Sequence, residues 1–326
     1  MHGFISYSAS RSTSARLRAA GLICLVCLVC LVCLGAWSDA PAAAAAQGEL
    51  RQTAFDSPKA AVEALVAALR GNNTTEVAAI LGDKRLTPRA QENDRADVEA
   101  FLKSYDAKQS LDLSQPGRAT LTVGEDNWIF PVPLVQEKQA WRFDTKAGIR
   151  EIFNRRIGAD ELLTIEILKA FVDAQREYAA KSSEAMGVQQ FACRLLSVGN
   201  AKNGLYWATQ GDQEKSPGGP LLALAAKQEC LLSGVQPAPL NGYYFKILTR
   251  QGDSAPGGAY DYMVKGQMVL GFACVAYPEK FGVTGIMTFV VNQDGVVYQK
   301  NLGKRSEAAA LAMTAYNPDA TWTKAE

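Results

Sequence analysis

Apolar residues recur along this chain first at helical spacing, then in alternation, then at helical spacing again, and finally in alternation almost to the end. Ala61, Val62, Leu65, Val66 and Leu69 form one face of a helix. Ser57 is placed to cap it and Pro58 suits its first position. A short helix follows over 74–81, with Gly82 placed to end it. Val98, Phe101, Leu102 and Tyr105 mark a third. The period then changes to two over 118–123, with further apolar runs at 128–135 and 140–143 and a turn at Glu137-Lys138. Pro131 and Pro133 cannot donate to a ladder, so the middle run is an edge strand or a kinked one. Helices packed on a small antiparallel sheet are expected for 56–157.

Residues 160–181 form the longest helical segment, about 33 Å at 1.5 Å per residue. Leu163, Ile167, Phe171, Ala174 and Tyr178 make one stripe, and Ile165, Leu168 and Val172 make another. Two stripes require cover from more than one side, which predicts a central helix shared by the two halves. A short helical stretch is expected over 189–196, then Gly204-Leu-Tyr-Trp207, then the loop Ser216-Pro-Gly-Gly-Pro220 opening a helix through Cys230. Strands are expected at 243–249, 260–264, 271–277, 286–292 and 296–300, and Asp294-Gly295 is a strong hairpin signal. A last helix near 307–313 precedes a tail ending in Trp322. The expected class is α+β, with one domain over 47–157 and a second, long helix plus antiparallel sheet, over 158–326.

Ahead of these elements, Arg11, Arg16 and Arg18 precede an apolar stretch over 21–34 and a small-residue run from Ala42 to Ala46. A basic region, an apolar region too short to anchor, and an A-x-A site together predict a secretory signal over 1–46, cleaved after Ala46. The expected location is periplasmic or extracellular. Four cysteines lie in that stretch, each behind Ile or Val, where a lipobox wants a small residue. Cys193, Cys230 and Cys274 remain, and three cysteines leave one unpaired whatever the connectivity. Cys274 sits in an apolar strand pattern and reads as a buried free thiol. The chain holds 34 basic and 33 acidic residues, a balance that favours neither nucleic acid nor an anionic membrane as partner. No stretch after residue 46 is long and apolar enough to span a membrane as a helix.

The segments Phe55-Asp-Ser-Pro58, Trp141-Arg-Phe-Asp144, Asp173-Ala-Gln-Arg-Glu-Tyr178, Gly242-Tyr-Tyr-Phe245, Ala255-Pro-Gly-Gly-Ala-Tyr-Asp-Tyr262 and Thr288-Phe-Val-Val-Asn-Gln-Asp-Gly295 carry a resemblance. Over roughly 55–322 the chain resembles an exported bacterial family defined as a domain of unknown function, DUF two-nine-five-zero. That resemblance implies export and brings no catalytic or binding residue with it. The order of a long helix ending Gln-x-x-Tyr, Gly-Tyr-x-Phe, a strand, Gly282-Val-Thr-Gly285, another strand and Asp-Gly also looks like the soluble head of type IV pilins and pseudopilins. The helix here is internal and lacks the pilin processing and methylation motif. Residues 56–157 resemble the cone-shaped nuclear transport factor two fold in order of elements only.

The one histidine, His2, lies in the signal, so Ser-His-Asp and Cys-His catalysis and His-containing zinc sites are excluded for the remainder. Ser254 in Gly252-Asp-Ser-Ala-Pro-Gly257 then has no general base, and that segment reads as a turn. Neither G-x-G-x-x-G nor a P-loop occurs, and no cofactor or metal is expected. Glu151, Asp160, Glu161, Glu166, Asp173 and Glu177 interleave with Arg155, Lys169 and Arg176 as a solvated charged face would. They also leave a carboxylate-dependent hydrolase of an envelope substrate as the alternative function. The leading expectation is a non-catalytic binding or assembly module of the cell envelope, with a protein or glycan partner. Its candidate face is Tyr260, Asp261 and Tyr262 with Trp207 and Tyr243, next to Gly252–Gly258, where Gly and Pro expose backbone and tyrosines offer rigid amphipathic area. Alternate strand positions would equally bury those rings in a core.

Overall fold

The computed structural model describes residues 51–88, 92–197, 201–207, 215–219 and 239–325. The expected signal over 1–46 and the helix expected through Cys230 lie outside the described residues. The chain divides into two compact units, Met1–Ile152 and Phe153–Glu326.

The first unit opens with α1 (Pro58–Arg70), whose N-cap Ser57 accepts the Ala60 N–H at 3.1 Å. In α2 (Thr74–Leu81), Asn73 caps the start and Gly82 ends the helix at φ +77°, its N–H bonded to Ala78 O at 2.8 Å. A side chain at Gly82 would strain that left-handed backbone and also lie 2.6 Å from Thr145 Oγ1. The space is used: Thr145 donates to Leu81 O (2.8 Å) and Gln52 to Ile80 O (3.1 Å) and Phe143 O (2.7 Å). Side chains thereby satisfy carbonyls that the helix end leaves open. α3 spans Glu92–Ala107.

The sheet that follows is antiparallel, in the order β1 (Gln109–Asp112), β2 (Arg118–Val123), β4 (Leu134–Glu137), β5 (Ala140–Phe143), with β3 (Trp128–Ile129) also on β2. Pro131 and Pro133 split the expected 128–135 strand into β3 and β4, so the kinked reading holds. The turn into β5 uses Lys138 and Gln139, both at positive φ, between the paired Glu137 and Ala140. Leu65, Val77, Phe101, Leu121, Phe130 and Phe143 meet in one buried cluster. Phe130 stands 5.6 Å from Phe101 and 6.1 Å from Phe143, ring centre to ring centre.

The long helix α4 runs from Thr145 to Met186, starting well before residue 160. Asp144 accepts the Ala147 N–H at 2.9 Å as its N-cap, and Ile149 and Ile152 pack on the first unit's core, so polar residues between them do not end the helix. Residues 189–196 are not helical, contrary to the spacing of Phe191, Ala192, Leu195 and Leu196. Phe191 bridges to Met268 and Leu196 to Tyr206, while the buried Gln175 side chain both donates to and accepts from the Ala192 backbone at 2.8 Å. Tertiary pairing overrides local periodicity there.

The second unit's main sheet is antiparallel, in the order β14 (Thr323–Lys324), β13 (Tyr298–Lys300), β12 (Thr288–Asn292), β11 (Ala273–Pro278), β6 (Tyr243–Leu248). The Asp294-Gly295 hairpin joins β12 to β13, with Gly295 at φ +78°. Tyr243 reaches Glu161 of α4, whereas Lys246, three residues on, reaches the carbonyls that end α5 (Ser306–Ala312). Side chains three apart on a strand face opposite ways, so α4 covers one face of this sheet and α5 the other. Ile165, Leu168, Phe171 and Val172 bury α4 against it, with Phe171 5.6 Å from Phe272, and each such burial stabilises by about 1.5–3 kcal/mol. Among the described residues the unit also holds two small ribbons: β7 (Arg250–Gln251) with β8 (Tyr260–Asp261), and β9 (Met263–Val264) with β10 (Gln267–Met268). The expected 260–264 strand is therefore two. Among the described residues no helix is long and apolar enough to cross a membrane.

Candidate functional site

The ribbon β7–β8 frames the loop 252–258, and its geometry begins with one buried amide. Gln251 is 2% exposed. Its Nε2 donates to Pro256 O at 2.6 Å and Gly258 O at 2.8 Å, and its Oε1 accepts the Tyr262 hydroxyl at 2.9 Å. From the other side, Asn317 Oδ1 accepts the Ser254 N–H at 2.8 Å and Tyr316 O accepts the Gly252 N–H at 2.9 Å. A side chain on Gly252 would lie 2.5 Å from Asn317 Cγ, so glycine is what lets the tail approach. The result is a loop fixed from within, with Asp253, Ser254, Pro256 and Gly257 at its exposed tip.

Of the five candidate residues, Tyr260, Asp261 and Tyr262 come together. Tyr260 is half-buried; its ring stands edge-on to Tyr262 at 5.5 Å and its hydroxyl accepts Gln293 Nε2 at 3.3 Å. Asp261 is exposed and pairs with Arg250 at 2.9 Å, a solvated bridge of little energetic weight. Tyr262 is fully buried, and burial pushes its hydroxyl well above the ordinary tyrosine range. Tyr243 is also fully buried, in other surroundings: its hydroxyl donates to Met287 O at 3.0 Å, with Glu161 Oε1 at 3.4 Å. Neither buried ring offers a face to solvent. Trp207 is half-buried on the segment that bridges to Leu196, with the Lys202 ammonium 5.6 Å from its ring centre. Gln251 and Asn317, which shape the loop, carry no sequence signal of their own.

The carboxylates of α4 divide by environment. Glu161 Oε1 accepts the backbone N–H groups of Ile286 (2.7 Å) and Met287 (2.9 Å), so this carboxylate ties the helix to the loop before β12. Burial lifts the Asp160 carboxyl to about 6, against the opposing pull of Arg156 at 3.6 Å. Among the described residues no group of His, Cys, Asp or Glu is placed to hold a metal ion. Cys274 is fully buried on β11 and Cys193 is exposed; both are free thiols.

Fold and loop together define a mixed α+β protein that presents a preformed surface loop beside a half-buried tyrosine and an exposed ion pair. The chain belongs to the family described as protein of unknown function (DUF2950), whose model matches residues 52–325. No curated protein and no solved structure matches it.

Proposed function

We propose that this protein is an exported, non-catalytic binding or assembly module of the bacterial cell envelope that engages another envelope polypeptide through loop 252–258, Tyr260 and Asp261. One observation carries the reading: Gln251 and Asn317 hold the loop in shape from inside while its tip stays exposed. A preordered loop loses less entropy on contact, so its backbone groups and the Tyr260 ring retain more of their binding energy. Export rests on the basic, apolar and small-residue pattern over 1–46. A long helix followed by an antiparallel sheet supports the likeness to pilin and pseudopilin heads. A photo-crosslinking residue at Ser254 in living cells should capture a protease-sensitive partner, and Tyr260→Ala should remove that band. A glycan adduct, or a band indifferent to Tyr260→Ala, would overturn the reading. N-terminal sequencing of the exported chain should begin at Gln47, and a retained Met1 would refute the cleavage.

A second reading, hydrolysis of an envelope substrate by carboxylates, draws on Asp160 alone, whose raised pKa suits a general acid. Its neighbour Glu161 is occupied by two backbone N–H groups, which weakens the pair as acid and base. Hydrolysis lost on Asp160→Asn with folding intact would establish it.

A further inference from the structure

The first unit contains a cleft of about 520 Å³ between the end of α1, the turn after it, the start of α2 and one face of α3. Its volume lies in the range of small-molecule sites, about 300–1,000 Å³. Leu69, Val77, Val98 and Leu102 give it an apolar floor, the first three buried. Arg95 and Glu99 line its side, one helical turn apart on α3. Both are exposed, and among the described residues neither side chain takes part in an ion pair or hydrogen bond. Arginine preceding glutamate by four residues is the less favourable order for a pair within a helix, so the two charges stay separate. The cleft's other cation, Arg70, is bonded to Asp106. Asn72 and Thr74 add a carboxamide and a hydroxyl to its lining.

Opposite charges left apart over an apolar floor complement a ligand with two opposite ends and an apolar middle. We infer that this cleft binds a short apolar peptide of about two residues with both termini free: its carboxylate meets Arg95, its ammonium meets Glu99, and its side chains lie on Leu69, Val77, Val98 and Leu102. Length decides between candidates. Residues one turn apart have Cβ atoms about 5–6 Å from each other, and an extended dipeptide spans about 7 Å. A single amino acid carries its charges on adjacent carbons and would leave most of the cleft empty. A longer peptide would carry one terminus past its partner.

The test titrates the chain from Gln47 to Glu326 with Leu-Leu, followed by amide chemical shifts. Leu-Leu should move the signals of Asn72, Thr74 and Glu99. N-acetyl-Leu-Leu and Leu-Leu amide should bind about two- to fivefold more weakly, the weight of one exposed ion pair. The acetyl penalty should vanish in Glu99→Ala and the amide penalty in Arg95→Ala, a pairing that a merely structural role for either residue would not produce. Gly-Gly should bind more than about tenfold more weakly, since it leaves the floor uncovered. No shift at millimolar Leu-Leu, capped peptides that bind as well as the free one, or free leucine that binds as tightly would each overturn the inference. The loop 252–258 has no part in this experiment, so the two readings stand or fall separately.

Discussion

Replacing Tyr262 and Tyr260 one at a time separates anchor from surface. Tyr262 has no exposed surface, and its hydroxyl is bonded to a Gln251 carboxamide that is itself buried. Tyr262→Ala removes a fully buried ring and should lower stability by about 3–5 kcal/mol, as for other large aromatic truncations. Tyr262→Phe keeps the ring but leaves Gln251 Oε1 without its donor, at a cost of about 1–3 kcal/mol. Tyr260 is half-buried, and Tyr260→Ala loses mainly its edge-on contact at 5.5 Å, about 1 kcal/mol. Urea unfolding of the protein, followed by far-ultraviolet circular dichroism, gives the midpoints, and an unchanged m-value licenses reading them as stability. At about 2–4 °C per kcal/mol for a unit of this size, Tyr262→Ala should melt roughly 10 °C below the parent and Tyr260→Ala within a few degrees of it. Equal losses for the two alanine variants would refute the argument, because they would mean that both rings are core or both are surface.

Three further outcomes follow from the same geometry. With its carboxyl raised to about 6, Asp160 holds its proton more tightly folded than unfolded, so stability should fall as pH rises from about 4 to 6, by at most about 1.4 kcal/mol per unit; a slope in urea midpoints that survives Asp160→Asn would assign it elsewhere. Burial pushes the Cys274 thiol up to about 12, so a maleimide should modify it only after denaturation while the exposed Cys193 reacts in the native protein, and peptide mapping that finds Cys274 labelled natively would contradict its placement. The Lys246 ammonium donates to Leu311 O (2.6 Å) and Met313 O (2.8 Å) at the end of α5, so Lys246→Met should cost about 1–2 kcal/mol and speed amide exchange in 306–312; unchanged exchange there would show those bonds to be idle.

What was legible from residues alone is what local chemistry decides. Ser57-Pro58 and Gly82 mark helix ends because capping and positive φ are properties of single residues, and both stand where they were expected. Asp294-Gly295 marks its hairpin for the same reason. The start of α4 was hidden because the helix between 145 and 160 is held partly by Ile149 and Ile152 against residues far away in sequence. β1 shows almost no apolar alternation, being exposed at all but Leu111, so only pairing with β2 reveals it. The stretch over 189–196 misled because bridges to Met268 and Tyr206 outweigh a helical spacing of four apolar residues. At the candidate site the five residues were named, but their depth was not readable. Tyr260 and Tyr262 alternate identically in sequence, and only the tertiary packing of Tyr262 against Gln251 and Gly271 makes one of them core.

That difference in depth ties the surface to the interior. A loop rich in Gly and Pro binds with one shape only if something other than its own side chains fixes it, and ordering a free backbone costs about 1–2 kcal/mol per residue. Gln251 supplies the fixing from below through two carbonyls of the loop, and Tyr262 supplies it one layer deeper by donating to the same amide. The buried tyrosine is therefore a positioning residue for a surface it never reaches. Tyr262→Phe separates the two roles, since it keeps the ring's packing while releasing the amide. A crosslink at Ser254 that weakens in that variant, with the fold retained, is the outcome that joins loop order to partner capture. A crosslink that survives unchanged would mean that Gln251 and Asn317 hold the loop without help from the Tyr262 hydroxyl.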